Sequence, residues 1–299
     1  APAGSPFRMK MTPDAVKSLL VGRLTPRYGA AEAAAIARIV LEDVFRVHRR
    51  SVSDFEVQWT PSQSEQLQDI IHRLEAGEPV QYVVGTAAFF GLVFQVNPAV
   101  LIPRQETEEL VAWVLEYLKA TEAGESTRVL DIGLGSGCIG ITLKKKRPAI
   151  QLFGMEKSAE ALAVATGNAQ EILGKTMDFQ FLQGDITCQE DWALFSDMNV
   201  IVSNPPYIPE SEKEIMPGHV LDHEPALALF VDNDDPLHFY RVIADFALEK
   251  LTPRGMLFFE CNEFNARQVA ALLTHKGFQL VMLRQDLSGA DRMVCGMRM

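Results

Sequence analysis

Apolar residues recur at helical spacing in the first part of the chain. Thr12 and Pro13 are typical of a helix N-cap and of the first helical position. The apolar positions that follow share one helical face, namely Val16, Leu19, Leu20 and Leu24. An alanine-rich second helix is predicted over residues 30–45. A third is predicted to start at Thr60, which forms the pattern of a capping box with Gln63.

The hydrophobic pattern changes after Gly77. The segment from Phe89 to Val96 is rich in aromatic and β-branched residues, as strands are, and Asn97-Pro98 favours a turn. This pattern predicts a β-hairpin. A helical pattern returns over residues 106–119.

From Arg128 onward, short apolar runs alternate with helical patterns. Helices are predicted over residues 158–173 and 237–251, among others. Such alternation predicts an α/β fold, in which a parallel sheet carries helices on both faces. The last two strands have no helix between them and are predicted to form an antiparallel hairpin at the sheet end. The predicted strands are residues 129–132, 152–155, 179–182, 200–203, 256–259, 280–283 and 293–297.

These patterns divide the chain into four predicted segments. Residues 1–10 are interpreted as a disordered leader or a cloning remnant. Residues 11–76 are predicted to form a small helical domain, and residues 77–103 a β-hairpin linker. The catalytic domain is predicted over residues 104–299.

Composition and charge narrow the class of protein. The chain has 299 residues and a formal net charge of −11, which weighs against a nucleic-acid substrate because such binding depends on Lys and Arg. The basic run 144–147 is interpreted as a solvated helix C-terminus. None of the four cysteines is paired at metal-ligand spacing, so no metal site is predicted. Without a secretory signal or a long apolar run, the protein is expected in the reducing cytoplasm.

A glycine-rich turn follows the first strand of the predicted sheet. Its spacing is G-x-G-x-G after Asp131, whereas dinucleotide sites usually have G-x-G-x-x-G. The tighter spacing favours a ligand without phosphate, whose amino-acid end can hydrogen-bond the loop backbone. An ordinary turn is the alternative. The candidate cofactor residues in this turn are Gly133, Leu134, Gly135, Ser136 and Gly137.

Acidic residues follow the next two strands. Glu156 ends the second strand, where a carboxylate can accept both hydroxyls of a ribose. Nicotinamide dinucleotides and S-adenosylmethionine share that diol, so Glu156 alone does not choose between them. Asp185 is placed to accept a hydrogen bond from an adenine amino group, and Ile186 to pack on the ring. A surface acid and a turn aspartate are the alternatives.

The segment Asn204-Pro205-Pro206-Tyr207 follows the fourth strand. Each proline fixes its backbone and removes a donor, so the loop is predicted to be rigid. The Asn204 side-chain oxygen and the Pro205 carbonyl can each accept one hydrogen of a substrate NH₂. The nitrogen lone pair would then point at a sulfonium methyl, with Tyr207 as a stacking wall. We predict that the protein transfers a methyl group from S-adenosylmethionine and that it accelerates this transfer mainly by positioning the two reactants.

These motifs together resemble the HemK/PrmC-type protein-(glutamine-N5) methyltransferases. The resemblance covers nearly the whole chain. The sequence departs from the family pattern at Gln105, Leu134 and Glu156. The motifs that carry it are Gly85, Phe89-Phe90-Gly91, Leu101-Ile102-Pro103-Arg104, Glu106-Thr107-Glu108, the glycine turn, Asn204–Tyr207, Glu224-Pro225-Ala226-Leu227, Asp286-Leu287, Gly289 and Arg292.

The resemblance implies a fold, a cofactor and a partner. The fold is that of class I S-adenosylmethionine-dependent methyltransferases, a Rossmann-like seven-stranded sheet with its last strand antiparallel. The substrate would be the glutamine of the Gly-Gly-Gln motif in class I peptide chain release factors. Gly133–Gly137, Glu156, Asp185-Ile186 and Asn204 would contact the cofactor, and Asn204–Tyr207 the glutamine. The helical domain, residues 11–76, would help to dock the release factor. Methylation of a ribosomal-protein glutamine or of a nucleic-acid base, a silent scaffold and an NAD-dependent oxidoreductase are the alternatives.

Overall fold

The computed structural model describes residues 10–47, 57–58, 60–174, 178–209, 222–231 and 234–299. The chain divides into two compact units, with the boundary between Thr86 and Ala87. The prediction for residues 1–9 lies outside the described residues, and Lys10 begins a short strand. No helix in the described ranges is long and apolar enough to cross a membrane.

The first unit is built on helices whose starts the sequence predicted. The N-cap at Thr12 is confirmed, because its side chain accepts a hydrogen bond from the Ala15 N–H. The capping box of Thr60 and Gln63 is also confirmed. The predicted second helix is α-helical only to Ile39 and continues as one π-helical turn. The elements are β1 (Lys10–Met11), α1 (Pro13–Tyr28), α2 (Ala30–Ile39), the π turn (Val40–Val44), β2 (Val57–Gln58), α3 (Pro61–Ala76) and α4 (Val80–Val84).

The first unit has its own apolar core. Val16, Leu20 and Leu24 of α1 are fully buried, as their helical spacing predicts. They belong to one cluster with Ile36 of α2 and Leu74 of α3. Packing of these faces accounts for the stability of helices that would be marginal in isolation.

A hairpin and a helix precede the large sheet. Strands β3 (Thr86–Phe89) and β4 (Leu92–Gln95) confirm the predicted hairpin. The remaining elements are α5 (Gln105–Ala120), β5 (Arg128–Ile132), α6 (Cys138–Lys146), β6 (Gln151–Glu156), α7 (Ala159–Leu173), β7 (Phe179–Gln183), a 3₁₀ turn (Gln189–Leu194), β8 (Met198–Ser203), β9 (Ile208–Pro209), α8 (Ala226–Leu229), β10 (Phe230–Val231), α9 (His238–Lys250), β11 (Leu251–Glu260), α10 (Ala266–His275), β12 (Gln279–Gln285) and β13 (Asp291–Met297).

The seven-stranded sheet confirms the predicted fold class. Its order is β12-β13-β11-β8-β5-β6-β7. Strands β5, β6, β7, β8 and β11 pair in parallel, whereas β13 is antiparallel to both β11 and β12. The chain moves outward from β5 through β6 to β7 and then returns to β8 on the other side. The pair β5 and β8 is therefore the topological switch point, where ligands bind in such sheets.

Both faces of the sheet are covered by helices. Val129 of β5 packs with α5, α6 and α7, whereas its neighbour Leu130 packs with α9 and α10. This alternation follows from the two-residue period of a strand. The basic run at the end of α6 is not wholly solvated as predicted, because the Lys144 ammonium is buried and donates to the carbonyls of Pro148 and Ile150.

Candidate functional site

A cavity of about 310 Å³ lies at the carboxyl ends of the strands in the second unit. It brings together most of the residues predicted from the sequence. Gly137 and Tyr207 do not line it, although both were predicted to contact a ligand. The predicted site residues that line it are Gly133, Leu134, Gly135, Ser136, Glu156, Asp185, Ile186, Asn204, Pro205 and Pro206.

The glycine turn depends on backbone conformations that favour glycine. Gly133, Gly135 and Gly137 have φ values of 78°, 52° and 80°. A Cβ at Gly133 or Gly135 would meet nothing within 4 Å, so the requirement at these positions is conformational. Gly137 differs, since a Cβ there would lie 2.5 Å from the Ile141 side chain. Gly137 therefore serves the packing of α6, while its neighbours present the loop to the cavity.

Glu156 holds the glycine turn to the end of β6. Its Oε2 accepts from the Gly135 N–H at 2.9 Å, and its Oε1 accepts from the Ser158 N–H at 2.9 Å. These bonds hold the buried carboxylate in one position. A carboxylate offers about four acceptor sites, so each oxygen keeps capacity for a hydroxyl of a bound diol.

Asp185 lies on the cavity wall inside a hydrogen-bonded turn. Its Oδ1 accepts from the Thr187 N–H at 2.9 Å, and its Oδ2 pairs with the Lys157 ammonium at 2.9 Å. Burial alone would raise the pKa of Asp185, but hydrogen bonds from Lys157 and Thr187 lower it overall. Asp185 is therefore an ionised hydrogen-bond acceptor on the cavity wall. It also stabilises a turn, as the alternative interpretation expected. Ile186 beside it is buried.

Asp131 is a buried acid directly behind the glycine turn. Its Oδ2 accepts from the Gly140 N–H at 2.9 Å, and its Oδ1 has no hydrogen-bond partner among the described residues. Burial raises the pKa of Asp131 to about 8, against the effect of the Gly140 bond. A protonated carboxyl at neutral pH carries no charge into the apolar space between β5 and α6.

Asn204 follows the last residue of β8 and has one end of its amide anchored. Its Nδ2 donates to the Thr107 hydroxyl at 3.4 Å, and no described residue donates to its Oδ1. The preceding residue is also fixed, since the Ser203 hydroxyl donates to the Ile132 carbonyl at 2.7 Å. The amide oxygen is therefore the atom available to a donor in the cavity. Pro205 is buried and Pro206 half-buried.

Tyr207 packs against the core formed with α9 and α10 rather than lining the cavity. Burial raises the pKa of its phenol, and the nearby charge of Glu260 adds to that effect. Its predicted role as a stacking surface for substrate stays a prediction.

Glu260 and Thr107 were not predicted as site residues. Glu260 ends β11 and is 2% exposed, and Thr107 lies in the first turn of α5. Burial raises the pKa of Glu260 to about 7, while hydrogen bonds from Thr107 and Asn204 lower it. An acid at the end of an apolar strand was the signal that identified Glu156, and it could have identified Glu260.

A buried acid links two of the motifs that carried the resemblance. The Glu224 carboxylate accepts from the Arg104 guanidinium and, at 3.2 Å, from the Ile102 N–H. Arg104 and Pro225 both line the cavity. Glu224 therefore fixes the segment before α5 against the segment before α8, and this link was also missed from the sequence.

Comparison with known proteins places these features in a family. The model of the methyltransferase small domain matches residues 109–223, and that of the PrmC N-terminal domain matches residues 23–85. A release factor glutamine methyltransferase of Flavobacterium psychrophilum is 40% identical over 229 residues, which cover 77% of this chain and 79% of the relative. One of Bacteroides thetaiotaomicron is 37% identical over 272 residues, covering 91% and 95%.

A solved structure supports the fold. A methyltransferase from Pyrococcus furiosus superposes with a TM-score of 0.50 over 77% of this chain and 97% of its own, at 16% identity. The resemblance inferred from the motifs is confirmed by the two relatives and by the N-terminal family model. This chain belongs to the release factor glutamine methyltransferase family.

Proposed function

We propose that this protein transfers a methyl group from S-adenosylmethionine to the side-chain amide nitrogen (N5) of the glutamine in the Gly-Gly-Gln motif of class I release factors. Family membership supports the reaction, and the relatives carry the name release factor glutamine methyltransferase. The observation that carries the proposal is the anchored amide of Asn204, whose Oδ1 is available beside the glycine turn.

The cavity suits a ligand that is cationic and has no phosphate. Three acids and two cations line it within the described residues. Each cation is paired with an acid, Arg104 with Glu224 and Lys157 with Asp185. A pyrophosphate would find no unpaired cation among these residues, whereas the amino and sulfonium groups of S-adenosylmethionine match the acidic lining. This balance favours a methyl donor over a nicotinamide dinucleotide.

The predicted cofactor residues have the chemistry that S-adenosylmethionine requires. We assign the ribose hydroxyls to Glu156, the adenine to Asp185 and Ile186, and the amino-acid end to the glycine turn, residues 133–137. When bound, the cofactor supplies an electrophilic methyl group on a sulfonium. No further acid–base group is needed to activate that leaving group.

The chain's own residues would position the glutamine. The Asn204 Oδ1 and the Pro205 carbonyl would each accept one N–H of the substrate amide. Both bonds draw the nitrogen lone pair out of conjugation and turn it towards the methyl group. Positioning of this kind can lower a barrier by up to roughly 7–11 kcal/mol in ideal cases. The proton would leave after transfer, because the methylated nitrogen is briefly cationic.

Mass spectrometry of a purified class I release factor tests the proposal. After incubation with the protein and S-adenosylmethionine, we expect one added methyl group on the glutamine of the Gly-Gly-Gln tripeptide. A large-subunit ribosomal protein and cellular RNA are incubated in parallel. Methylation of either of these, with none on the release factor, contradicts the proposed substrate.

The variant Asn204→Ala tests the proposed chemistry. We expect kcat to fall by at least about 10²-fold, the loss seen when one preorganised polar group is removed from a reacting centre. Asn199→Ala is the matched control on the same strand, since Asn199 bonds to the Arg128 N–H at the far end of the sheet. Circular dichroism should show that both variants fold. Full activity of Asn204→Ala would refute the assignment.

A further inference from the structure

We propose that Glu260 is a positioning residue that selects which end of the Asn204 amide faces the substrate. Its carboxylate, together with the Thr107 hydroxyl, holds the amide nitrogen, so that only the oxygen is presented to the cavity. The inference rests on the proposed function, in which Asn204 acts as a hydrogen-bond acceptor.

The register of the sheet places the two side chains next to each other. Ser203 of β8 pairs with Phe259 of β11 in parallel. The residues that follow, Asn204 and Glu260, therefore leave neighbouring strands at the same edge. Thr107 reaches the same point from α5, where its hydroxyl accepts from Asn204 Nδ2 at 3.4 Å. Both side chains lower the pKa of Glu260, as hydrogen-bond donors close to its carboxylate do.

When Glu260 is ionised, the donors and acceptors of these groups favour one amide orientation. An ionised carboxylate accepts hydrogen bonds and cannot donate them, whereas an amide has one accepting end and one donating end. A flipped Asn204 would direct its oxygen at the Glu260 carboxylate and its NH₂ at the cavity. That orientation would repel the substrate NH₂, because donor would face donor. Glu260 thus determines the acceptor character of a site that it does not line.

The surroundings of Glu260 disfavour a charged side chain. Its side chain is buried, and its Oε2 has no hydrogen-bond partner among the described residues. Leaving such a group incompletely paired costs stability. The nearby positive charge of Arg292 offsets part of this cost, and Arg292 is itself held by Asp286 at 3.0 Å.

The first experiment replaces the carboxylate with an amide of the same shape. In Glu260→Gln, the replacement side chain can accept or donate, so it no longer selects one orientation of Asn204. We expect kcat on the release factor to fall by about tenfold or more. Binding of S-adenosylmethionine, measured by calorimetry, should change by less than about twofold, because Glu260 does not line the cavity. Glu263→Gln, a nearby exposed acid, is the matched control.

The second experiment separates orientation from a general structural effect. In Asn204→Asp, both ends of the side chain accept hydrogen bonds, so orientation no longer matters, but its charge opposes Glu260. Adding Glu260→Gln supplies a donor to that carboxylate. We expect Asn204→Asp/Glu260→Gln to be at least about fivefold more active than Asn204→Asp alone. The same substitution would thus lower kcat in one background and raise it in the other.

The outcomes separate this inference from the proposed function. If the unaltered protein does not methylate the release factor, the proposed function fails first. If it does, and Glu260→Gln has the same effect in both backgrounds, the positioning role is overturned. Should Glu260→Gln not fold, Thr107→Val removes the hydroxyl that links the two groups, and Thr107→Ser should rescue most of the lost kcat. Equal activity of the Val and Ser variants would also overturn the inference.

Discussion

Each acid at the strand ends of the large sheet is held by different partners. Glu156 accepts from two backbone N–H groups, whereas Glu260 lies beside the side chains of Thr107 and Asn204, which lower its pKa. Asp131 accepts from a single backbone N–H of α6. The same residue type can therefore hold a backbone turn, lie beside the Asn204 amide or occupy an apolar space. The partners, rather than the acid itself, determine the role.

Glu156→Gln should weaken cofactor binding. The Gly135 N–H and the Ser158 N–H both need an acceptor, and a glutamine can offer an oxygen to only one of them. A buried donor left opposite another donor costs about 1–3 kcal/mol, so the dissociation constant should rise by about fivefold or more. Calorimetry with S-adenosylhomocysteine measures this, with the exposed Glu171→Gln as control. An unchanged dissociation constant would show that the turn does not depend on Glu156.

Most of the residues predicted from local motifs line one cavity in the structure. The glycine turn, Glu156, Asp185 and Asn204 each lie at or just after the end of a strand. Their positions could therefore be predicted from the strand pattern along the chain. Thr107 and Glu260 could not be joined to Asn204 in this way. Their contact depends on β11 lying beside β8 and on α5 crossing the same edge, which local pattern does not encode.

Helix α6 lies close to the sheet because Gly140 has no side chain. A Cβ on Gly140 would lie 3.0 Å from Asp131 Oδ2 and 3.0 Å from the Leu152 side chain. The close approach brings the Gly140 N–H to Asp131 and sets the start of α6 after the glycine turn. The position of this helix therefore connects core packing to the shape of the glycine turn.

Gly140→Ala should destabilise the protein by about 1–3 kcal/mol, the usual effect of overpacking a core. Gly167→Ala in α7 is the matched control, because a Cβ there meets nothing within 4 Å. We expect that control to stabilise the protein by about 0.5–1 kcal/mol, since alanine favours the helix. Chemical denaturation measures both changes. Equal effects from the two variants would contradict the close-packing explanation.

The kinds of elements were predicted better than their details. Caps at Thr12 and Thr60 were predicted because the residues that form them are local. The change from α- to π-helix after Ile39 was not predicted, since apolar residues continue at helical spacing through Val40, Leu41 and Val44. Hydrophobic periodicity also left the order of the parallel strands open, because each buried strand carries the same kind of apolar run.

At the scale of the whole molecule, the chain has two units with separate cores. The observed boundary after Thr86 falls inside the segment 77–103 that the sequence assigned to a linker. The site residues described above all lie in the second unit. A role for the helical unit in docking the release factor stays a prediction.

Two buried acids of the second unit, Asp131 and Glu260, make stability depend on pH. Burial raises the pKa of Asp131 to about 8 and that of Glu260 to about 7, from ordinary values near 4. Between those limits the folded protein binds more protons than the unfolded chain. The stability that these groups contribute is therefore complete below about pH 4 and is lost as the pH rises towards 8. Hydrogen bonds from Ala290 and Arg292 outweigh burial and lower the pKa of Asp286, which titrates below this range.

We therefore expect the free energy of unfolding of the cofactor-free protein to fall by at least about 1 kcal/mol between pH 5 and pH 8. Urea unfolding measures this free energy, and the fluorescence of the buried Trp113 and Trp192 reports the transition. The measurements use a Trp59→Phe background, which removes the third tryptophan. In Glu260→Gln the fall should be smaller, because a neutral side chain occupies that position at every pH. Since Glu263→Gln changes an exposed acid, its fall should match that of the unaltered protein. If Glu260→Gln shows the full fall, ionisation of Glu260 is not a source of the pH dependence.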